Sequence, residues 1–221
     1  MDRRLQEILE EGIRAIDPDL LGTRLPGRLS RLYDEIELFN PKYALVNAQG
    51  EELVIRHILD CLAPVVFFRE YAPENAPRIR MADLGSGSGL PGLVLSSVFD
   101  CWDISLVERM GRRAGFLRNT IAAMGLNSVA TVVQKDLSEV QNQYDIITFR
   151  AFRPFKDIVC DLDRILAPEG TILAYKSSEE NIQEEVRVLE GYGGCTFRTD
   201  TVSYKVPMLD AERRILVVKR A

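Results

Sequence analysis

Residues Met81 to Phe99 read "MADLGSGSGLPGLVLSSVF", with glycines at 85, 87, 89 and 92 between two apolar runs. A glycine-dense turn of this kind lets backbone come close to a ligand where a side chain would block it. The glycines can be taken in two frames. Gly87-x-Gly89-x-x-Gly92 spells the dinucleotide fingerprint, whereas Gly85-x-Gly87-x-Gly89 places the tight turn directly after the apolar run that ends at Leu84. The phosphate-binding version needs its first glycine at the strand end, followed by a helix whose N–H groups face a pyrophosphate. Here that would start two residues late, and Pro91 reads as an early helix residue, where its missing N–H costs little. The first frame is therefore preferred, and Gly92 becomes a close-packing residue of the helix.

Working outward, short apolar runs at 79–84, 103–107, 130–134, 145–149 and 171–176 alternate with helical segments at 91–99, 111–124, 155–166 and 179–190. That alternation predicts βαβ units and a parallel sheet covered on both faces. The end of the chain differs. "CTFRTDTVSYKV" and "RRILVVKRA" are two strand-like runs with no helix between them, which predicts an antiparallel pair closing the sheet. The expected fold is α/β: a Rossmann-like, mostly parallel seven-stranded sheet with an antiparallel C-terminal strand, the layout of S-adenosylmethionine (SAM)-dependent methyltransferases. Upstream, Leu29, Leu32, Tyr33, Ile36 and Phe39, and then Leu53, His57, Ile58, Cys61, Leu62 and Val65, fall at helical spacing. The Pro-rich "YAPENAPR" marks a boundary. Two units are expected: an N-terminal helical extension over 1–75, packed on a catalytic domain over 76–221.

Composition narrows the classes. With 221 residues, 46% hydrophobic and 28% charged, the chain can build a real core. No apolar run approaches the ~20 residues of a membrane span, and "MDRRLQEILEEGIRAI" lacks the apolar centre of a secretory signal. A cytoplasmic monomer without membrane contact is expected. Cys61, Cys101, Cys160 and Cys195 are scattered, and His57 is the single histidine, so no metal set is expected and the cysteines read as buried, reduced thiols. The net charge of −5 does not advertise nucleic-acid binding. Local runs do: "RMGRRAGFLR" holds Arg109, Arg112, Arg113 and Arg118 with no acid, and "RAFRPFK" adds Arg150, Arg153 and Lys156. The bland alternative for these cations is a solvated helix face, and for His57 a packed core histidine.

Two acids refine the ligand. Asp83, at the end of the first strand, would repel a pyrophosphate and suit a sulfonium and an ammonium. Glu108, at the end of "DISLVER", is placed to accept both hydroxyls of a ribose, which NAD and SAM share. Asp136, Leu137 and Ser138 follow the third strand, where the resembling fold covers an adenine.

Four segments together resemble one family, the small-subunit ribosomal RNA guanine-N7 methyltransferases (the glucose-inhibited division protein B, or RsmG, family). They are "RHILDCL", "DLGSGSGLPG", "RMGRRAGFLR" and "FRAF", with "VPMLDAERRILVVK" similar near the end. The resemblance covers about residues 28 to 220. It implies an enzyme that methylates N7 of a guanine in 16S rRNA, as free RNA or in the 30S subunit. It implies SAM contacts at Gly85, Leu90, Leu137, Ser138 and Arg150, with Glu108 on the ribose. Arg56, His57, Arg118, Lys176 and Arg213 fall towards the RNA. Departures occur at Phe39, Pro41, Ala44 and Val46, and at Ser177 where the family tends to have glycine.

The residues fit such chemistry. Guanine N7 carries an in-plane lone pair and no proton, so it needs positioning and no general base. Arg150 and His57 are expected near the reaction site, without a catalytic dyad. "FRAFRPF" is not the Asn/Asp-Pro-Pro-aromatic motif of an adenine-N6 enzyme, and no cysteine sits at a strand end as a pyrimidine-C5 enzyme would need. Three rivals stand beside this reading: a methyltransferase for another RNA site or a small molecule, an NAD-dependent oxidoreductase using the Gly87–Gly92 frame, and a non-catalytic RNA-binding module that retains only the fold. Phe152 and Phe155 serve either base stacking or the core.

Overall fold

A computed structural model describes residues 1–74 and 78–221. The boundary expected at 75/76 falls at Asn75–Pro77, outside the described residues. Seven strands form one sheet in the order β3-β2-β1-β4-β5-β7-β6. They are β1 (Arg80–Leu84), β2 (Asp103–Val107), β3 (Ala130–Val133), β4 (Tyr144–Arg150), β5 (Leu166–Lys176), β6 (Phe197–Lys205) and β7 (Glu212–Arg220). β1 to β5 run parallel, and β7 pairs antiparallel with both β5 and β6. The expected α/β sheet is thus formed, with its order reversing between β1 and β4, the position where open α/β sheets take their ligands.

The expected helices follow: α6 (Gly92–Val98), α7 (Gly111–Ala123), α8 (Phe155–Ile165) and α9 (Glu179–Glu190). Before the sheet lie α1 (Arg3–Ile16), α2 (Leu25–Tyr43), α3 (Gly50–Leu53), α4 (Asp60–Leu62) and α5 (Val65–Glu70). No helix among the described residues is long and apolar enough to cross a membrane. Period-2 alternation splits the sheet's side chains between two layers. Met81, Ile104, Leu106, Leu173 and Val217 join Leu9, Leu29 and Ile58 of the N-terminal helices and Leu93 and Leu117 of α6 and α7. Ala82, Leu84, Ile147 and Leu216 meet Ile158, Leu162 and Ile182 of α8 and α9. Across the first layer, Arg28 pairs with Asp100 at 2.6 Å and the Tyr175 hydroxyl donates to the Cys61 carbonyl at 2.8 Å.

Three expectations are corrected. The helix carrying His57 is not a regular α-helix: Val54–Leu59 widens into a π-helical segment between α3 and α4, a distortion that tends to mark functional sites. It turns Asp60 into the protein, where that residue is only 3% exposed. β5 begins at Leu166 rather than 171, because its first residue pairs with Tyr144 before "APEG" bulges out and pairing resumes at Thr171. Finally, only Cys61 is buried; Cys101 and Cys160 are exposed and Cys195 is intermediate.

Candidate functional site

The glycine turn follows the first frame. Gly85, Gly87 and Gly89 have φ of +69°, +52° and +82°, a region open to glycine and strained for other residues. Gly92 is already the first residue of α6. A Cβ at Gly92 would lie 2.3 Å from Leu106 and 2.5 Å from Asp83 Oδ2, so this glycine serves close packing. Its N–H donates to Asp83 Oδ2 at 3.0 Å and is not available to a pyrophosphate, which removes the dinucleotide frame.

Two buried carboxylates hold the turn from below. Asp83, expected beside the ligand's positive charge, instead points under the loop to the start of α6, and is 1% exposed. Period 2 puts it on the same layer as Met81, and the unpaired N–H groups of α6 provide its partner. Burial pushes its carboxyl up to about 7, against the bonds from Ser86 and Gly92, with the Glu108 charge adding to the rise. Glu108 reaches across from β2: Oε2 accepts from Gly87 N–H at 3.1 Å and Oε1 from Met110 N–H at 2.8 Å. A carboxylate oxygen has two acceptor sites, so both oxygens retain capacity for ribose hydroxyls.

The other expected cofactor residues surround the turn unevenly. Leu90 and Leu137 are both buried. Ser138 lies in a single 3₁₀ turn, Leu137–Glu139, whose N-terminus Asp136 caps through the Ser138 N–H at 3.2 Å. Asp136 also pairs with Arg153 at 3.1 Å. Because Asp136 follows β3 and Arg153 follows β4, this ion pair crosses over the ends of β1 and β2, above the glycines. The bonds from Ser138 and Arg153 hold the Asp136 carboxyl below its usual range. The Phe152 ring lies against Gly85, only 2.2 Å from where a Cβ would stand, and the Arg153 guanidinium stacks 5.1 Å from its centre.

Arg150 is turned away from the glycines. Its guanidinium pairs with Asp60 at 3.1 Å, donates to the Arg56 carbonyl at 2.9 Å and meets His57 Nδ1 at 3.2 Å. The cause is Asp60, a charge that the π-helical turn buries and that needs cations. Arg213 supplies the second, 3.3 Å from Asp60 Oδ1, and the Tyr204 hydroxyl donates to the same oxygen at 3.3 Å. Sequence reasoning missed Asp60; the available signal was a carboxylate between Ile58 and Cys61, inside an apolar helix face. Burial first, then Arg150, Arg56 and Arg213, push the His57 imidazolium down to about 4, so the ring is neutral at physiological pH. Arg150 can only donate, which makes Nδ1 the acceptor and puts the proton on Nε2. Burial also pushes the Cys61 thiol up to about 12, an inert group.

Beyond Arg150 opens a cavity of about 580 Å³ at the ends of β4 and β5. His57, Phe152, Arg153, Lys176, Glu185 and Arg213 are among its lining residues. The structure therefore brings His57, Arg150, Arg153, Lys176 and Arg213 together. It leaves Arg112 and Arg118 exposed on α7, with Arg118 bonded to Gln134 at 2.9 Å. Arg56 is exposed on the helix outside the cavity. Arg113, expected on the RNA side, is half-buried, its Nη1 3.8 Å from a Cβ position at Gly87. Phe155 is fully buried and belongs to the core.

The sheet order, the glycine turn after β1 and the acid after β2 define a SAM-dependent methyltransferase. Solved structures agree on the fold. The methyltransferase 10 domain-containing protein of human has a TM-score of 0.57 at 14% identity, covering 87% of this chain and 96% of that one. A SAM-dependent O-methyltransferase of Thermotoga maritima has 0.54 at 16%, covering 86% and 71%. Within that class the sequence is specific: residues 27–210 match the GidB family, described as rRNA small subunit methyltransferase G, and the chain belongs to it. The ribosomal RNA small subunit methyltransferase G of Burkholderia multivorans is 32% identical over 97% of this chain and 92% of its own length. That of Treponema denticola is 28% identical over 96% and 94%.

Proposed function

We propose that this chain transfers a methyl group from SAM to N7 of a guanine in the 16S rRNA of the small ribosomal subunit. The observation that carries the reading is that crevice and cavity adjoin at Phe152, which lies against Gly85 and also lines the cavity beside Arg150. A ligand on the glycine turn and a base in the cavity would therefore face each other. When bound, SAM supplies an electrophilic methyl on a sulfonium.

The residues present fit that cofactor. The left-handed glycines remove side chains from the floor of the crevice. Glu108 is placed for the ribose, and the Leu137–Ser138 turn forms the wall where an adenine would lie. The Phe152 ring stands over Gly85 and has to swing aside to admit a ligand. In the cavity nothing has to remove a proton, because N7 has none, and the His57 ring that lines it is neutral. The work left to the protein is to hold N7 in line with the methyl, by stacking on Phe152 and by donors such as His57 Nε2–H. Exposed Arg112 and Arg118, with Arg56, provide cations for RNA phosphates.

The test is a comparison of 16S rRNA from cells with and without this gene, mapped for N7-methylguanine. Loss of one such modification is expected, and an unchanged pattern refutes the assignment.

A further inference from the structure

Two helical glycines have no cause inside the protein. Gly27 lies in the first turn of α2 and Gly115 in the middle of α7. Both are exposed. Neither has a positive φ, and a Cβ at either would find no atom of the surrounding fold within 4 Å. Alanine suits a helix better, above all at Gly115, because glycine gives up more backbone freedom on folding. Each glycine is also flanked along its helix by exposed arginines: Arg24 and Arg31 around Gly27, Arg112 and Arg118 around Gly115. Steps of three and four residues place these side chains on the same helical face as the glycine between them.

The two helices present one surface. α2 packs antiparallel on α7, with the Phe39 and Phe116 ring centres 5.7 Å apart and Asn119 donating to Glu35 at 2.8 Å. Where α2 begins and α7 ends they border a groove of about 460 Å³, whose lining includes Arg24, Gly27, Arg31, Ala123 and Gly125. The chain carries a net charge of −5, yet no acid occurs from Leu20 to Tyr33 or from Arg109 to Lys135. Asp100 is taken up by Arg28 at 2.6 Å, and among the described residues Arg24, Arg31 and Arg112 have no acid within ion-pairing distance. α7 starts beside the glycine turn, and its 13 residues run about 20 Å towards the opposite edge of the sheet.

We propose that this surface is a second RNA contact, an inference that rests on the rRNA reading above. A strand's sugar–phosphate backbone runs from Arg112 past Gly115 and into the groove at Gly27. The arginines supply charge-assisted contacts to phosphates. The glycines let the RNA come against the helix backbone, where a side chain would hold the phosphates away. A solvated helix face accounts for the arginines and not for the glycines, because a solvated face gains stability from alanine. The track touches phosphate and sugar, so it adds affinity and orientation and leaves the choice of base to the cavity.

The test is binding of the purified protein to protein-free 16S rRNA from cells lacking this gene, without SAM, across a series of salt concentrations. Gly115→Ala is expected to raise Tm by about 2–4 °C. The same variant is expected to bind RNA about 3- to 10-fold more weakly, the size of one impaired contact. A glycine required by the fold would lower Tm when replaced, and one on an idle surface would leave RNA binding unchanged; either result overturns the proposal. Arg24→Ala/Arg31→Ala is expected to make the slope of log K against log salt shallower by about 1.4–1.8, for two lost phosphate contacts. An unchanged slope overturns the proposal as well. So does a loss seen with 30S subunits and absent with protein-free RNA, which would assign the surface to a ribosomal protein. Wild type that shows these RNA effects and transfers no methyl group to guanine N7 overturns the methyl-transfer reading and leaves the RNA track standing.

Discussion

Asp83 offers a measurement on the architecture of the glycine turn. Its carboxyl ionises near 4 in an unfolded chain and at about 7 in the folded protein, because it is buried beneath the turn. Below pH 4 both states are protonated and Asp83 contributes no pH dependence. As pH rises, the unfolded chain loses its proton first, so the folded state becomes progressively less favourable until the folded group also ionises. Linkage gives a loss of about 2–3 kcal/mol between pH 5 and pH 8 from this one group. Asp83→Asn removes the titration and keeps an oxygen to accept the Gly92 N–H. Other groups titrate equally in both proteins, so the difference between them isolates Asp83. Urea unfolding of wild type and variant at pH 5, 6, 7 and 8 reads it directly. The stability of the variant relative to wild type is expected to rise by about 2–3 kcal/mol across that range. A difference that stays constant with pH refutes the buried, α6-facing placement of Asp83.

Other perturbations test other parts. Glu108→Ala removes two backbone bonds and the ribose acceptor; calorimetry is expected to show SAM binding weakened by about 1–3 kcal/mol. Asp60→Ala strands Arg150 and Arg213 in a buried cluster, and chemical denaturation is expected to show a loss of about 3 kcal/mol. Arg112→Ala is expected to leave SAM binding intact and to lower the slope of log K against log salt for RNA binding by nearly 1, for one lost phosphate contact.

Most of the sheet was legible in the sequence. Apolar runs bounded by turn residues place β1, β2 and β3 within about one residue, and the absence of a helix before "RRILVVKRA" identifies the antiparallel closure. What stayed hidden depended on pairing or direction. Leu166 pairs ahead of the bulged "APEG" because Tyr144 extends β4 backwards, a pairing that no local pattern signals. Regular periodicity cannot signal the π-helical turn at Val54–Leu59, so the claim of Asp60 on Arg150 was out of reach, although a carboxylate inside an apolar helix face was visible. The glycine frame followed from the strand end and Pro91, but an acid at a strand end reads alike whether it faces a ligand or a helix start. Asp83 was therefore placed correctly and aimed wrongly. Lys176 was legible as a cation near the site, whereas Glu185 sits on α9 among other acids and becomes distinct only when the fold brings it to Lys176.

The central claim is methyl transfer from the glycine crevice to a guanine in the adjoining cavity. Its most direct measurement is incubation of the purified protein with methyl-labelled SAM and 30S subunits or 16S rRNA lacking the modification, followed by mapping of the label. The account predicts label at N7 of one guanine in the RNA. Label at another atom or base, or none on either form of the substrate, would contradict it.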